Sequence, residues 1–341
     1  MDLGLITFGS LLPDVRTGTT LSQRQRLRDV VRAAKEAEDL GFAWYTVGEH
    51  HFRDRDVIPS PAVVLAAIAE NTSTIRLATG TTLVANRDPV LVAEDYALVD
   101  LLSGGRLEMI VGGSFFPEPY AVFDQAPETK GARKRENLEL LQRVWTEERV
   151  TWRGEFRPPL DDVLVQPRLA QPRPPLWISG GTNPDSIALA VDHGLPMVFG
   201  TTAREPATFV PFFDAYRDQW RERRDDEPGR LGAASHAFVA KTSQEARALW
   251  STYIDSYLSA RRDGPLDFDE HIGANGPALC GSPAEVVDKL GRLQQLWGHD
   301  LHLLSVDIGG IPYATVQGAT ELIAAEVLPQ VRRGTVAAGA R

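Results

Sequence analysis

The chain reads as a closed (β/α)8 barrel, an α/β fold built on one parallel sheet. Two observations predict it. Eight short apolar runs alternate with longer amphipathic segments, and that alternation sets strands parallel with right-handed helical crossovers. Eight units with short, buried-looking strands favour closure over an open doubly wound sheet. An open sheet built to hold a dinucleotide would carry G-x-G-x-x-G after its first strand, and the chain has no such spacing.

Leu3–Phe8 reads as the first strand. Over Leu21–Leu40, residues Leu27, Val30, Val31, Ala34, Ala37 and Leu40 fall at helical spacing, and Gly41 stops the helix. Ala43–Val47 is the second strand. Ser60 and Pro61 open a helix running to about Glu70, because proline in the first helical position gives up no hydrogen bond. Ile75–Leu83 is the third strand, Pro89–Leu102 a helix ending at Ser103-Gly104-Gly105, and Leu107–Val111 the fourth strand. The beat then breaks. Between Gly112 and Pro175 the pattern gives one helix at Lys130–Trp145, a strand at Arg149–Phe156 and a Pro-rich stretch. It resumes with strands Leu176–Ser179, Pro196–Phe199 and Ser235–Ala240, separated by helices Pro184–His193 and Pro206–Arg223 and followed by Ser243–Arg262. Pro283–Trp297, His302–Asp307 and Tyr313–Arg333 complete the circuit.

Residues 1–341 are read as one barrel domain, with an insertion at about 113–175 after the fourth strand and a lid-like mobile loop at about 263–280, punctuated by Gly264-Pro265, Gly273 and Gly276-Pro277. Lys and Arg number 36 against 46 Asp and Glu, a net charge of −10, which argues against nucleic acid as a partner. The single cysteine, Cys280, excludes an intramolecular disulfide and fits a cytoplasmic location. It has no basic neighbour in sequence and reads as a buried, inert thiol. The N-terminus lacks the pattern of a signal peptide, and no apolar run approaches the roughly 20 residues that span a bilayer.

Catalytic groups of such a barrel lie at the C-terminal ends of its strands. Gly48-Glu49-His50-His51-Phe52 follows the second strand. In an extended segment Glu49 and His51 share one side and His50 takes the other, so the histidines do not chelate one metal, and no metal site is expected. A strand-end histidine suits proton transfer; a plain hydrogen bond to loop backbone would explain it equally well. Ser179-Gly180-Gly181-Thr182-Asn183-Pro184-Asp185-Ser186, after the fifth strand, could hold a phosphate at a helix N-terminus, or simply cap that helix through Thr182 or Asn183. Asp185 would repel a phosphate if it faced inward. Gly112-Gly113-Ser114-Phe115-Phe116 lets backbone approach a flat ligand, while the two phenylalanines read better as core packing under a long loop.

With these residues in hand, the chain resembles the bacterial-luciferase-like flavin-dependent monooxygenases. The resemblance lies in Gly48-Glu49-His50-His51-Phe52, Arg76-Leu77-Ala78-Thr79-Gly80-Thr81, Gly105-Arg106-Leu107-Glu108, Pro175-Leu176-Trp177-Ile178-Ser179-Gly180-Gly181, Gly194-Leu195-Pro196-Met197, Gly281-Ser282-Pro283-Ala284-Glu285 and Glu326-Val327-Leu328-Pro329, which run in family order. It implies His50 as the catalytic histidine. Gly80 and Thr81 fall where the family often has a cis peptide against the flavin ring. Gly113, Ser114 and Gly181 are expected against the cofactor, with Thr182, Asn183 and Ser186 around its phosphate. Luciferases proper carry Cys and Arg where this chain has Gly112-Gly113, so light emission is not expected. The implied activity uses reduced FMN (FMNH2), supplied by a separate NAD(P)H:flavin reductase, and O2. A C4a-(hydro)peroxyflavin would then oxygenate a small organic substrate, carbonyl compounds first. The implied assembly is a homodimer through helices near Val63–Asn71 and Val90–Leu102. Two alternatives stay open: an F420-dependent dehydrogenase or reductase, and a non-catalytic flavin-binding partner subunit.

Overall fold

In a computed structural model, which describes residues 1–259 and 265–332, eight parallel strands close on themselves. Numbered around the barrel they are β1 (Asp2–Thr7), β2 (Trp44–Val47), β3 (Arg76–Thr79), β4 (Leu107–Gly112), β5 (Leu176–Gly180), β6 (Met197–Phe199), β7 (Leu231–Val239) and β8 (Leu301–Ser305). Each pairs with the next, and Asp2 to Leu5 of β1 register with Leu301 to Leu304 of β8 to shut the cylinder. Helices lie outside, with Val30, Leu65, Tyr96, Leu141, Ile187 and Leu290 among the residues buried between helix shell and strands.

The barrel interior has its own core. Ile6, Trp44, Ala78, Ile110, Trp177 and Val198 fill it from six staves. Trp44 and Trp177 meet edge to face, centroids 5.2 Å apart, and the Trp177 indole N–H donates to Glu108 at 2.7 Å. Side chains alternate along a strand, so each inward row climbs by twos from this plug to the mouth. From Trp44 the row runs through Thr46 and Gly48 to His50; from Ala78 it reaches Gly80; from Ile110 it reaches Gly112 and Ser114; from Trp177 it reaches Ser179 and Gly181. The plug therefore sets which residues face the mouth.

Several boundaries differ from the pattern-based reading. The third strand divides into Arg76–Thr79 and Thr82–Leu83, the latter pairing with Val111 and Gly112; Gly80 and Thr81 form the break. The Arg149–Phe156 strand shrinks to Val150–Trp152 and pairs antiparallel with Leu160–Val163, a partner that the polar stretch around Asp161 concealed. The seventh strand starts at Leu231, four residues early, because small Gly232 and Ala234 face the barrel interior with Val198 and the β8 leucines Leu301 and Leu303. Leu279–Gly281 is an extra strand beside β7. Glu118–Val122 is a short helix within the insertion. In the segment read as a lid, Phe268–Ile272 is helical, and the buried Lys289 ammonium donates to the carbonyls of Ile272 and Ala278 at 3.0 and 2.7 Å. That lysine pins the segment from beneath. Residues 263 and 264 of that segment lie outside the described residues, as do the ends of the helices expected at Ser243–Arg262 and Tyr313–Arg333.

Candidate active site

The β2 end presents two histidines on opposite sides, each with its own carboxylate. His51 Nε2 lies 2.8 Å from Glu49 Oε1, and the other Glu49 oxygen accepts the Leu83 N–H at 3.1 Å. That pair is tied into the loop. His50 faces the mouth, its Nδ1 2.9 Å from Asp56 Oδ2. Phe8 stacks on the imidazole, centroids 4.9 Å apart and planes 9° from parallel, and Phe116 meets it edge-on at 5.5 Å. Gly48 makes the stacking possible, since a Cβ there would collide with the Phe8 ring.

Gly80-Thr81 is a cis peptide. A Cβ on Gly80 would stand 2.6 Å from Thr46 Cγ2 and 2.8 Å from Ile6 Cδ1, so the backbone here lies directly on the inward rows of β1 and β2. The residue after β4, Gly113, is packed against Lys130, whose Cε would lie 2.7 Å from a Cβ on that glycine. Ser114 is buried, and its polar groups are spent within the loop: its hydroxyl accepts the Phe116 N–H at 3.0 Å and its carbonyl accepts from Lys130 Nζ at 2.6 Å.

At the β5 end, Asn183 caps the Pro184–Asp192 helix by accepting the Asp185 N–H at 3.0 Å. The capping reading therefore holds for Asn183. Asp185 is exposed to solvent. Gly181 has open space where a Cβ would be, Thr182 is half-buried beside it, and the buried Ser186 hydroxyl accepts from Lys134 Nζ at 3.1 Å. Burial, with Lys130 and Arg135 nearby, pushes the Lys134 ammonium down to about 8. Burial also lowers Lys130. A desolvated cation against a hydroxyl at a helix N-terminus is suited to an anion, which is what the phosphate of FMN would supply. The residues present fit that group.

The structure brings His50, Gly80, Thr81, Gly113, Gly181, Thr182 and Ser186 to the ends of four consecutive staves. It withdraws Ser114 and the Asn183 side chain into local hydrogen bonds. The expectation that Phe115 and Phe116 pack in the core is overturned: Phe115 is 87% exposed and Phe116 abuts His50, because the loop leaving β4 turns outward over the mouth. Four site residues had not been singled out. Lys130 and Lys134 share a helix face at i,i+4, a legible signal. Phe8 continues the inward row from Ile6 and was equally legible; Asp56 carried no signal, since it acts through a fold-back between loops. On the far wall His236, continuing the inward row from Ala234, meets Tyr257 and His271 with centroids 5.4 and 6.3 Å away. Among the described residues no group of three or more His, Cys, Asp or Glu could hold a metal, and no helix is long and apolar enough to cross a membrane.

A family model for luciferase-like monooxygenases matches residues 6–300. The chain is 24% identical over 343 residues to the oxygenase component of a flavin-dependent trigonelline monooxygenase from Acinetobacter baylyi, covering 92% of both. Monooxygenase RslO1 from Streptomyces bottropensis superposes with a TM-score of 0.86 at 26% identity, over 96% of this chain and 99% of that one. The oxygenating constituent of 3,6-diketocamphane monooxygenase from Pseudomonas putida, a type II Baeyer-Villiger enzyme in complex with FMN, superposes at 0.78 with 21% identity, over 97% and 99%. F420-dependent glucose-6-phosphate dehydrogenases are related over less than half of the chain. The chain belongs to the luciferase-like monooxygenase family. It is an oxidoreductase on a (β/α)8 barrel.

Proposed function

We propose that the chain is the oxygenase component of a two-component monooxygenase, using reduced FMN from a separate NAD(P)H:flavin reductase and O2 to oxygenate a small organic molecule, carbonyl compounds first. The observation that carries the FMN reading is Lys134, a half-buried ammonium held by one hydroxyl at a helix N-terminus. Lys134, Ser186, Thr182 and the backbone at Gly181 hold the phosphate; the backbone at Gly80-Thr81 and at Gly112-Gly113 gives the ring its floor. Reduced flavin, when bound, supplies the capacity to activate oxygen. His50 moves the proton at the mouth, and Phe8 and Phe116 keep water from its ring. The pairing of His50 with its own carboxylate supports an active chain over a silent partner subunit.

An F420-dependent dehydrogenase is the second reading, favoured by the F420-dependent relatives. Equilibrium binding separates the two: tight FMN binding that F420 does not displace supports the oxygenase, and the reverse preference replaces it. We further propose a homodimer through the face that carries Val63, Leu91, Leu98 and Leu102, all exposed on two adjacent helices, and action in the cytoplasm, where the reductase finds NAD(P)H.

A further inference from the structure

We infer that Asp56 is the positioning residue of this site: it fixes His50 as the Nδ1–H tautomer and leaves Nε2 as the ring nitrogen that takes a proton at the mouth. The inference rests on the reading of His50 as the group facing the reaction.

Asp56 joins two loops. Its Oδ1 accepts the Ser10 hydroxyl at 2.8 Å and its Oδ2 faces His50 Nδ1 at 2.9 Å. Backbone bonds bracket it on both sides: Leu11 N–H to Arg55 O at 2.6 Å, and His50 N–H to Ile58 O at 3.1 Å. Ser10 and Asp56 also form an antiparallel bridge. The carboxylate is 3% exposed, so its place is set by the fold rather than by solvent.

An ionised carboxylate only accepts hydrogen bonds. Burial pushes the Asp56 carboxyl upward, but the hydrogen bond and charge of His50, the Ser10 hydroxyl and Arg55 outweigh burial and hold it below its ordinary value. It is an anion at neutral pH, and Nδ1 must carry the proton. The charged groups facing the pair are Arg53, whose Nε lies 3.7 Å from the same Oδ2, and Arg55; Glu118 lies 3.8 Å from the other side of Arg53. Arg53 sits 4.0 Å over the Phe116 ring, which keeps its charge beside the pair without a short hydrogen bond to Oδ2.

The two rings against His50 complete the device. A half-turn of the imidazole would exchange Nδ1 for carbon and lose Asp56, while Phe8 on the face and Phe116 at the edge resist tilting. When a bound reactant gives its proton to Nε2, the electron pair of the broken bond stays on the donor atom and Asp56 stabilises the imidazolium. His51 shows the opposite arrangement, with its Nε2 committed to Glu49, so of the two adjacent histidines only His50 has a committed Nδ1 and an Nε2 left for chemistry.

The test reads the tautomer directly. The full chain is labelled with [15N]histidine, long-range 1H–15N correlations are recorded in alkaline solution where imidazoles are neutral, and His50→Gln assigns the signal. The expected result is a protonated Nδ1 and a bare Nε2 for His50, converted by Asp56→Asn to the other tautomer or a mixture and restored by Asp56→Glu. Turnover of Asp56→Asn should fall about 100-fold with little change in KM, of the order a mispositioned general base costs. A wild-type His50 protonated on Nε2, or an Asp56→Asn variant with unchanged tautomer, overturns the inference. The spectrum needs neither flavin nor oxygen, so an error in the monooxygenase reading leaves this result standing.

Discussion

The two ends of the mouth bury charge in opposite ways. At the β2 end the Asp56 carboxylate finds its partners within the fold, His50 Nδ1 at 2.9 Å and the Ser10 hydroxyl at 2.8 Å. At the β5 end Lys134 is desolvated with a neutral hydroxyl for company, and its one acidic influence, Asp185, is exposed. A buried charge costs free energy unless it is paired. The first arrangement is complete within the fold; the second is short of a counter-charge, which the proposed phosphate would supply. On the proposed function, that difference separates a reacting end from a binding end.

The largest effects are expected from removing the central side chain at each end in turn. His50→Ala should lower turnover by about 100- to 10,000-fold, the range for loss of a general acid or base, while FMN affinity measured by fluorescence titration stays near wild type. Loss of FMN binding would make His50 a cofactor clamp and erase the division. Lys134→Met should do the reverse. Removing a charge-assisted hydrogen bond of about 1.5–3 kcal/mol should weaken FMN about 10- to 100-fold and leave riboflavin, which lacks the phosphate, unaffected.

The pH dependence sharpens the same point with two opposite signs. Lys134 titrates at about 8, and a phosphate monoester with a second pKa of about 6 is dianionic across that range. FMN affinity should therefore be highest below pH 8 and decline as the ammonium is lost above it. The free protein should gain stability over the same interval, because the unfolded chain holds a lysine proton up to about 10.4 that the folded chain has already released. Denaturant melts at pH 7.5 and 9.5 with and without FMN would show the two slopes; Lys134→Met should flatten the FMN slope and lessen the stability slope, to which Lys289, also pushed down to about 8 by burial, contributes the remainder.

Smaller effects concern surfaces outside the mouth. Leu98→Glu with Leu102→Glu should convert a dimer to a monomer in sedimentation runs while barrel stability changes little; a wild-type monomer would remove the dimer proposal. The smallest effect is expected at Cys280, whose thiol is buried and pushed up to about 12. Alkylating reagents should leave it untouched in the native protein and label it after unfolding.

What the sequence made legible followed a period. The eight staves and most helices obey a two- or 3.6-residue repeat, and His50, Gly80-Thr81 and Gly181 follow from strand ends, because the inward rows begun at Trp44, Ala78 and Trp177 continue into those loops. Contacts that depend on where loops fold back were hidden. Asp56 sits in a run of alternating charge, Arg53-Asp54-Arg55-Asp56, that reads as solvated surface until the bridge to Ser10 draws it inward. Phe115 and Phe116 read as core because apolarity says nothing of which way a loop leaves its strand. Lys130 and Lys134 were accessible in principle from their i,i+4 spacing, but which helix face meets the mouth is a tertiary fact.

On the proposed function, this mouth shelters reduced FMN for reaction with oxygen. The most direct measurement mixes the protein, loaded anaerobically with reduced FMN, with oxygenated buffer in a stopped-flow instrument and follows flavin reoxidation by absorbance. Slow, multiphasic reoxidation that accelerates towards the free-flavin rate in Lys134→Met is the predicted result. Reoxidation of the wild-type mixture at the rate of free FMN would contradict the claim.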